Sequence, residues 1–230
     1  RLAAVPIRWH RDVAEAAERS AESSRPTHPA TRPMDSCRVL GAMIAALIDG
    51  TPADKVLAPD FWRFGALHPE VELIARGSWR DQEPPQIRGT GFCVDALEAA
   101  LWAVGGADDF RDAVLRAANL GDDADTTAAI TGQLAGARWG LSGIPAEWRR
   151  RLVAADRITA IAGRLYEQAT ETSTARWAHD EFLHAYWVIP GSVLAGEYAG
   201  ARDPGRARDK INLLIDHGIR TFVDLTAPAD

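Results

Sequence analysis

The feature that most constrains the fold is an acidic turn that leads directly into a segment of small residues. Three aspartates lie within four positions of one another, and small residues then recur at every fourth position, at Ala128, Gly132, Gly136 and Gly140. Residues four apart share one face of a helix, and each glycine inside a helix costs about 1 kcal/mol relative to alanine. The pattern therefore predicts a helix over residues 125–140 that packs closely against another helix and is the most buried helix of the chain.

The acids before this helix have two interpretations. In the structural one, Asp122 or Asp123 caps the helix and Asp125 lies in its first turn, where unpaired N–H groups and the positive dipole end favour acids. In the other, Asp123, Asp125 and Thr126 supply two carboxylates and a hydroxyl to a hard divalent cation. Spacing alone leaves both open, but burial of the helix would make unpaired charge costly and so favours the metal.

The stretch from Ala118 to Ala137 resembles the metal-binding signature of the ADP-ribosylglycohydrolase family. The resemblance implies an all-α fold, two divalent cations (Mg²⁺ or Mn²⁺), and hydrolysis of the glycosidic bond between ADP-ribose and a protein side chain or a related small ADP-ribosyl compound. It also implies that Asp123 and Asp125 are catalytic and that both, with Thr126, ligate the metal. Asp122 stands where many members have glycine, so no role is carried over to it.

Two further segments carry the same resemblance. The glycine-rich turn after Arg88 resembles the turn that lines the family's nucleotide cleft, which implies that Thr90, Gly91 and Phe92 bind substrate. For Phe92 the alternative is a core aromatic residue at the start of a helix. His28 lies in a proline-rich loop that resembles the family's Thr-His segment near the ADP-ribose site, which implies that His28 also binds substrate. The alternative is that His28 is an ordinary surface histidine.

Periodicity and breaker residues organise the chain into three parts. Residues 1–165 are expected to be an all-α, ADP-ribosylglycohydrolase-like domain that lacks its N-terminal portion, because the family's other acidic motif does not occur. Residues 166–184 are polar and are predicted to be a linker. In the first part, helices are predicted at 11–24, 35–48, 53–64, 69–76, 110–118 and 147–165.

Beyond the linker the period changes, and residues 185–230 are predicted to be a small α/β piece in the order strand, strand, helix, strand, with its last strand at 221–226. This segment resembles the start of a dual-specificity or tyrosine phosphatase domain, but the His-Cys-x5-Arg loop of such enzymes does not occur in it. The expected fold class is thus mainly α, with a C-terminally truncated α/β piece.

Composition limits the partners and the compartment. The 230-residue chain has a net charge of −6, which does not suggest nucleic-acid binding. Its apolar runs are short and interrupted, so neither a membrane span nor a membrane partner is expected. Cys37 and Cys93 are isolated and form no metal or redox motif. We expect a cytoplasmic protein that acts on an ADP-ribosylated protein or a small ADP-ribosyl substrate; the sequence does not indicate its oligomeric state.

Three alternatives of different classes follow from the same residues. In the first alternative, the chain is an inactive fragment or an ADP-ribose-binding module, because only one of the family's two acidic motifs is present. On this ground residues 1–230 alone are expected to show little or no glycohydrolase turnover. Alternatively, it is part of a phosphatase whose catalytic loop lies downstream of residue 230. In the third alternative it is a structural helical domain whose acids serve only as caps.

Overall fold

The structure is a computed structural model that describes residues 2–170, 179, 182–189, 193–197 and 203–221. This part of the chain is mainly helical, with short 3-10 helices at Ser78–Asp81 and Gln168–Thr170. The α-helices, in chain order, are α1 Ala4–Arg8, α2 Val13–Ser24, α3 Thr31–Ile48, α4 Ala53–Val56, α5 Pro69–Ala75, α6 Cys93–Gly105, α7 Phe110–Ala118, α8 Ala124–Gly143, α9 Ala146–Arg151, α10 Ala155–Glu167 and α11 Pro204–Asp216.

The centre of the core is formed by α6 and α3. Nine of the 13 residues of α6 are buried, because the helix is apolar on nearly every face and so cannot turn one face to water. The apolar side of α3 contributes Val39, Met43 and Ile44, each almost fully buried. The expectation that the helix over 125–140 is the most buried is therefore wrong: α8 buries only Thr127, Thr131, Leu134 and Ala135.

The small-residue face of α8 lies against α7, but not at close range. A methyl group built on Gly132 would lie 4.0 Å from Cγ2 of Val114, and one on Gly136 would lie 4.0 Å from Cε2 of Phe110, both ordinary van der Waals distances. Gly140 has φ of 69° and interrupts the helical backbone. The predicted close helix contact is thus wrong, because the first two glycines leave space and Gly140 is used for a kink.

Two predicted helices also differ from the structure. The helix predicted over 53–64 ends at Val56, since Pro59 disfavours helical geometry in the residue before it. The helix predicted over 147–165 is two helices, α9 and α10, separated by Ala154, whose φ of 58° is incompatible with a continuous right-handed helix. The helices predicted at 11–24, 35–48, 69–76 and 110–118 are confirmed, with α3 beginning four residues earlier than expected.

The C-terminal segment contains strands β1, Ala185–Ile189, and β2, Val193–Gly196, which pair antiparallel with Ala185 opposite Gly196. Leu183, Ala185 and Leu214 of α11 form a small apolar cluster. The strand predicted at 221–226 lies outside the described residues except for its first position. The α/β piece and the domain boundaries therefore stay predictions. No helix in the described part of the chain is both long and apolar enough to cross a membrane.

Candidate functional site

The acidic turn joins α7 to α8. Gly121 and Asp122 have φ of 76° and 53°, in the left-handed region that glycine and aspartate adopt more readily than most residues. Asp123 occupies the N-cap position of α8, yet its side chain makes no capping hydrogen bond. Asp125 lies in the first turn and is exposed, as is Thr126. Asp125 thus has the first-turn position that both interpretations allow, and the carboxylate of Asp123 is not used as a cap.

The acidic turn is joined directly to the glycine-rich turn that precedes α6. The N–H of Asp123 donates to the carbonyl of Gly89 at 2.8 Å, and a methyl group on Gly89 would lie 2.8 Å from the carbonyl oxygen of Gly121. A methyl group on Gly91 would likewise lie 2.8 Å from Oδ2 of Asp123. The two turns can therefore approach this closely because Gly89 has no side chain, and the missing side chain of Gly91 leaves room for the carboxylate of Asp123.

Thr90 stabilises the glycine-rich turn internally. Its hydroxyl donates to Oδ2 of Asp95 at 2.9 Å and accepts from the N–H of Phe92 at 3.1 Å. Arg88 forms an ion pair with the same carboxylate oxygen at 2.9 Å. Asp95, which sequence reasoning missed, thus anchors the turn, and the hydroxyl of Thr90 has a structural role in this arrangement.

A cleft of about 520 Å³ lies beside the two turns. Three of the predicted substrate-binding residues, His28, Gly91 and Phe92, line it together, whereas Thr90 does not. Phe92 is 46% exposed, so the alternative that placed this ring in the core is wrong. The Nδ1 atom of His28 lies 2.9 Å from the hydroxyl of Thr27. Because Gly91 touches both the cleft and Asp123, the cleft and the acidic turn share a wall.

Several other cleft residues were not found from the sequence. The N–H of His68 donates to the buried carboxylate of Asp35 at 2.7 Å, which places His68 at the cleft. Arg32 donates two hydrogen bonds to Glu70, at 2.8 and 2.9 Å, and these lower the pKa of Glu70. Burial raises the pKa of the Cys93 thiol. These residues are far apart in the sequence, and no motif links them. The one sign of this arrangement in the sequence is Asp35, a charged residue on the apolar side of α3.

The donor atoms of the acidic turn are of the chemical type that a hard cation binds. Asp123 and Asp125 provide carboxylates and Thr126 a hydroxyl, and Mg²⁺ commonly binds through one or two carboxylates while it keeps several waters. Among the residues described, no group of three or more His, Cys, Asp or Glu side chains is arranged to hold a metal. A pair of cations needs more donors than this turn supplies, so the two-metal site stays a prediction.

Comparison with known proteins gives consistent matches over the helical part. The ADP-ribosylglycohydrolase family profile matches residues 1–175. A curated relative from Serratia proteamaculans (strain 568), named ADP-ribosylarginine hydrolase Tri1, is 43% identical over 152 residues, which cover 66% of this chain and 41% of the relative. A protein of the same name from Pseudomonas putida (strain GB-1) is 40% identical over 152 residues and is covered to 40%.

A more distant relative is the ADP-ribosyl-[dinitrogen reductase] glycohydrolase of Rhodospirillum rubrum, 30% identical over 117 residues, which are 51% of this chain and 36% of that protein. A solved structure titled "ADP-ribosylglycohydrolase-related protein complex" aligns with a TM-score of 0.63 and 32% identity, over 72% of this chain and 57% of its own. This chain thus spans about two fifths of the length of these curated relatives. The family match ends before the segment that resembles a phosphatase, and that resemblance stays a prediction.

Proposed function

The chain belongs to the ADP-ribosylglycohydrolase family, and from this premise we propose that it takes part in hydrolysis of the glycosidic bond between ADP-ribose and a modified protein side chain. Two relatives are named ADP-ribosylarginine hydrolase, so we propose arginine as the modified residue. The observation that carries the proposal is the closeness of Gly91 to Asp123, where a methyl group built on Gly91 would lie 2.8 Å from Oδ2 of Asp123. It joins a cleft large enough for a nucleotide-sized ligand to the carboxylates that would do the chemistry.

The proposed substrate site is the cleft lined by His28, Gly91 and Phe92. The half-exposed ring of Phe92 offers an aromatic face of the kind on which a nucleobase stacks. His28 offers a ring nitrogen for a hydrogen bond to the polar part of the ligand. The absence of a side chain at Gly91 lets the ligand approach Asp123 closely. The reacting sugar would then lie toward the acidic turn.

The proposed metal ligands are Asp123, Asp125 and Thr126. When bound there, Mg²⁺ or Mn²⁺ would supply Lewis-acid chemistry and a fixed position for the sugar hydroxyls and for a water. The carboxylates of Asp123 and Asp125 have a second use, because cleavage at an anomeric carbon develops positive charge on the sugar and nearby negative groups stabilise it. Asp123 is suited to this role because capping does not occupy its side chain.

A second candidate function is an ADP-ribose-binding module without turnover. The observation in its favour is that, in the part of the chain described, no group of three or more His, Cys, Asp or Glu side chains is arranged to hold a metal. Binding and turnover therefore have to be measured separately.

The test combines Mn²⁺ titration, ADP-ribose binding by calorimetry, and release of ADP-ribose from an arginine-ADP-ribosylated protein. We expect Asp123→Asn and Asp125→Asn each to remove Mn²⁺ binding and Asp122→Asn to have a mild effect, because asparagine keeps the shape but not the charge. Asparagine is about as good an N-cap as aspartate, so a capping role predicts no change in any of the three. Wild-type Mn²⁺ affinity in both of the first two variants would refute the metal assignment.

Turnover decides between the two functions. Mn²⁺-dependent release of ADP-ribose that is lost in Asp123→Asn supports the hydrolase. ADP-ribose binding without release, at every Mn²⁺ concentration, supports the binding module. Absence of ADP-ribose binding by the wild-type chain contradicts both.

A further inference from the structure

A second cleft lies at the opposite end of α6 from the candidate active site. It has a volume of about 420 Å³, and we name it the Trp/Arg cleft after its walls, which include Trp79, Arg80, Trp102 and Arg116. The candidate active site touches Cys93 at the first turn of α6, whereas the Trp/Arg cleft touches Gly105 at the last. A helix of this length spans about 20 Å at 1.5 Å per residue, so the two clefts are separate.

Each arginine in the Trp/Arg cleft lies over the ring of a tryptophan. The Cζ atom of Arg80 lies 4.3 Å from the ring centroid of Trp79, and that of Arg116 lies 4.3 Å from the ring centroid of Trp102. Both tryptophans are buried. A guanidinium that uses its face for an aromatic contact keeps its N–H edge for a planar acceptor.

Two consecutive glycines hold these groups side by side. A methyl group on Gly105 would lie 2.4 Å from the ring of Trp79, and one on Gly106 would lie 2.8 Å from a terminal nitrogen of Arg116. Neither glycine has a positive φ, so the backbone conformation does not require glycine there. The space is instead taken by Trp79 and by the guanidinium of Arg116.

Arg116 has one donor that lacks an acceptor within the described residues. Its Nε atom is buried and has no hydrogen-bond partner there, which is uncommon because buried polar groups are nearly always paired. Arg80 donates to the carbonyl of Leu57. The rim also carries two exposed carboxylates, Asp54 and Glu83, so the cleft as a whole is not strongly basic and does not suit a polyanion such as nucleic acid or an anionic membrane.

We propose that the Trp/Arg cleft binds a small oxyanion, a carboxylate or a phosphate group, which accepts hydrogen bonds from Arg116 and Arg80. Affinity would come from directed, charge-assisted hydrogen bonds to the guanidinium edges, and the balanced charge of the rim would exclude larger polyanions. The site is independent of the glycohydrolase chemistry, because it uses none of the residues of the candidate active site.

The test is calorimetric titration of the whole chain with inorganic phosphate and, separately, with N-acetylglutamate, at constant ionic strength. We expect one probe to bind, and which one binds distinguishes a phosphate ligand from a carboxylate ligand. Binding should weaken at least about tenfold in Arg116→Ala. It should weaken also in Arg116→Lys, since lysine keeps the charge but not the planar fork. Arg111→Ala, an exposed arginine on the same helix, is the matched control and should bind as wild type.

Gly106→Ala keeps both arginines and tests the geometry alone. Its methyl group displaces the guanidinium of Arg116, so this variant should also lose affinity, while circular dichroism reports whether it folds. In wild-type protein labelled with 5-fluorotryptophan, the probe should shift the fluorine resonances of Trp79 and Trp102 among the eight tryptophans of the chain. No binding of either probe, or equal binding by wild type and Arg116→Ala, would overturn the proposal.

Discussion

Replacement of Gly91 by alanine tests whether the position of the Asp123 carboxylate matters. The added methyl group would lie 2.8 Å from Oδ2 of Asp123, about 0.6 Å inside the 3.4 Å at which ordinary contact begins. Gly91 has no positive φ, so the backbone accepts alanine without strain. The conflict is with the far end of one flexible side chain, and the carboxylate is therefore the group that moves.

The expected changes in Mn²⁺ affinity, turnover and stability follow from how strictly each depends on the position of the Asp123 carboxylate. Mg²⁺ requires nearly ideal octahedral geometry, and a misplacement of about 1 Å in a catalytic group costs on the order of 10²-fold in rate. A shift of about half that size is expected to weaken Mn²⁺ binding, and any turnover, roughly 10- to 100-fold. Unfolding free energy should change by less than about 1 kcal/mol, because a compatible Gly→Ala replacement itself stabilises slightly.

The assay is Mn²⁺ titration followed by electron paramagnetic resonance, with urea unfolding on the same samples. Gly132→Ala is the matched control, because it adds the same methyl group 4.0 Å from its nearest neighbour and should leave Mn²⁺ binding unchanged. Wild-type Mn²⁺ affinity in Gly91→Ala, alongside loss of affinity in Asp123→Asn, would show that Asp123 tolerates displacement and would refute the reasoning from the contact with Gly91.

Two further predictions concern stability. Gly132→Ala and Gly136→Ala should each raise the free energy of unfolding by up to about 1 kcal/mol in urea titrations, because each site has room for a methyl group and glycine is the poorer helix former; a loss of stability in either variant would contradict the observed spacing between α7 and α8. Burial raises the pKa of Glu98 above its ordinary value of 4.5. Protonation of Glu98 therefore stabilises the folded protein; this contribution is fully present below about pH 4.5 and is lost as the pH rises through the raised pKa. Glu98→Gln should thus be more stable than wild type at neutral pH, by less than about 1 kcal/mol because Glu98 is only half-buried. The difference in unfolding free energy should disappear in acid. An equal difference at both pH values would count against Glu98 as its source.

Much of the local structure around the site could be predicted from the sequence. The sequence predicts the helix from Phe110 to Ala118 with its observed bounds, and in the structure Asp109 caps its N-terminus. Asp122 stands where many members of the family have glycine, and this agrees with its positive φ. The prediction of one helix over 147–165 is wrong, because its apolar period runs through Ala154, where no glycine or proline marks the break.

The contents of the cleft were less accessible from the sequence. His28 and Phe92 were found only through a family resemblance, while Arg32 and His68 were missed, since no motif links residues so far apart in the chain. Their placement depends on contacts between elements, such as the hydrogen bond from the N–H of His68 to Asp35. Side-chain pairings of this kind leave no periodic signal.

The sequence by itself determined the mainly helical class, the acidic turn and the family, because these depend on local spacing and on a contiguous motif. Only the tertiary structure decided that α6 rather than α8 lies at the centre of the core, and that Gly91 faces Asp123. The physical reason is that helix periodicity reports which side chains share a face, while burial and contact depend on which other element meets that face. The glycines of α8 illustrate the difference: their spacing indicated close packing, yet the neighbouring α7 leaves room for a methyl group at both Gly132 and Gly136.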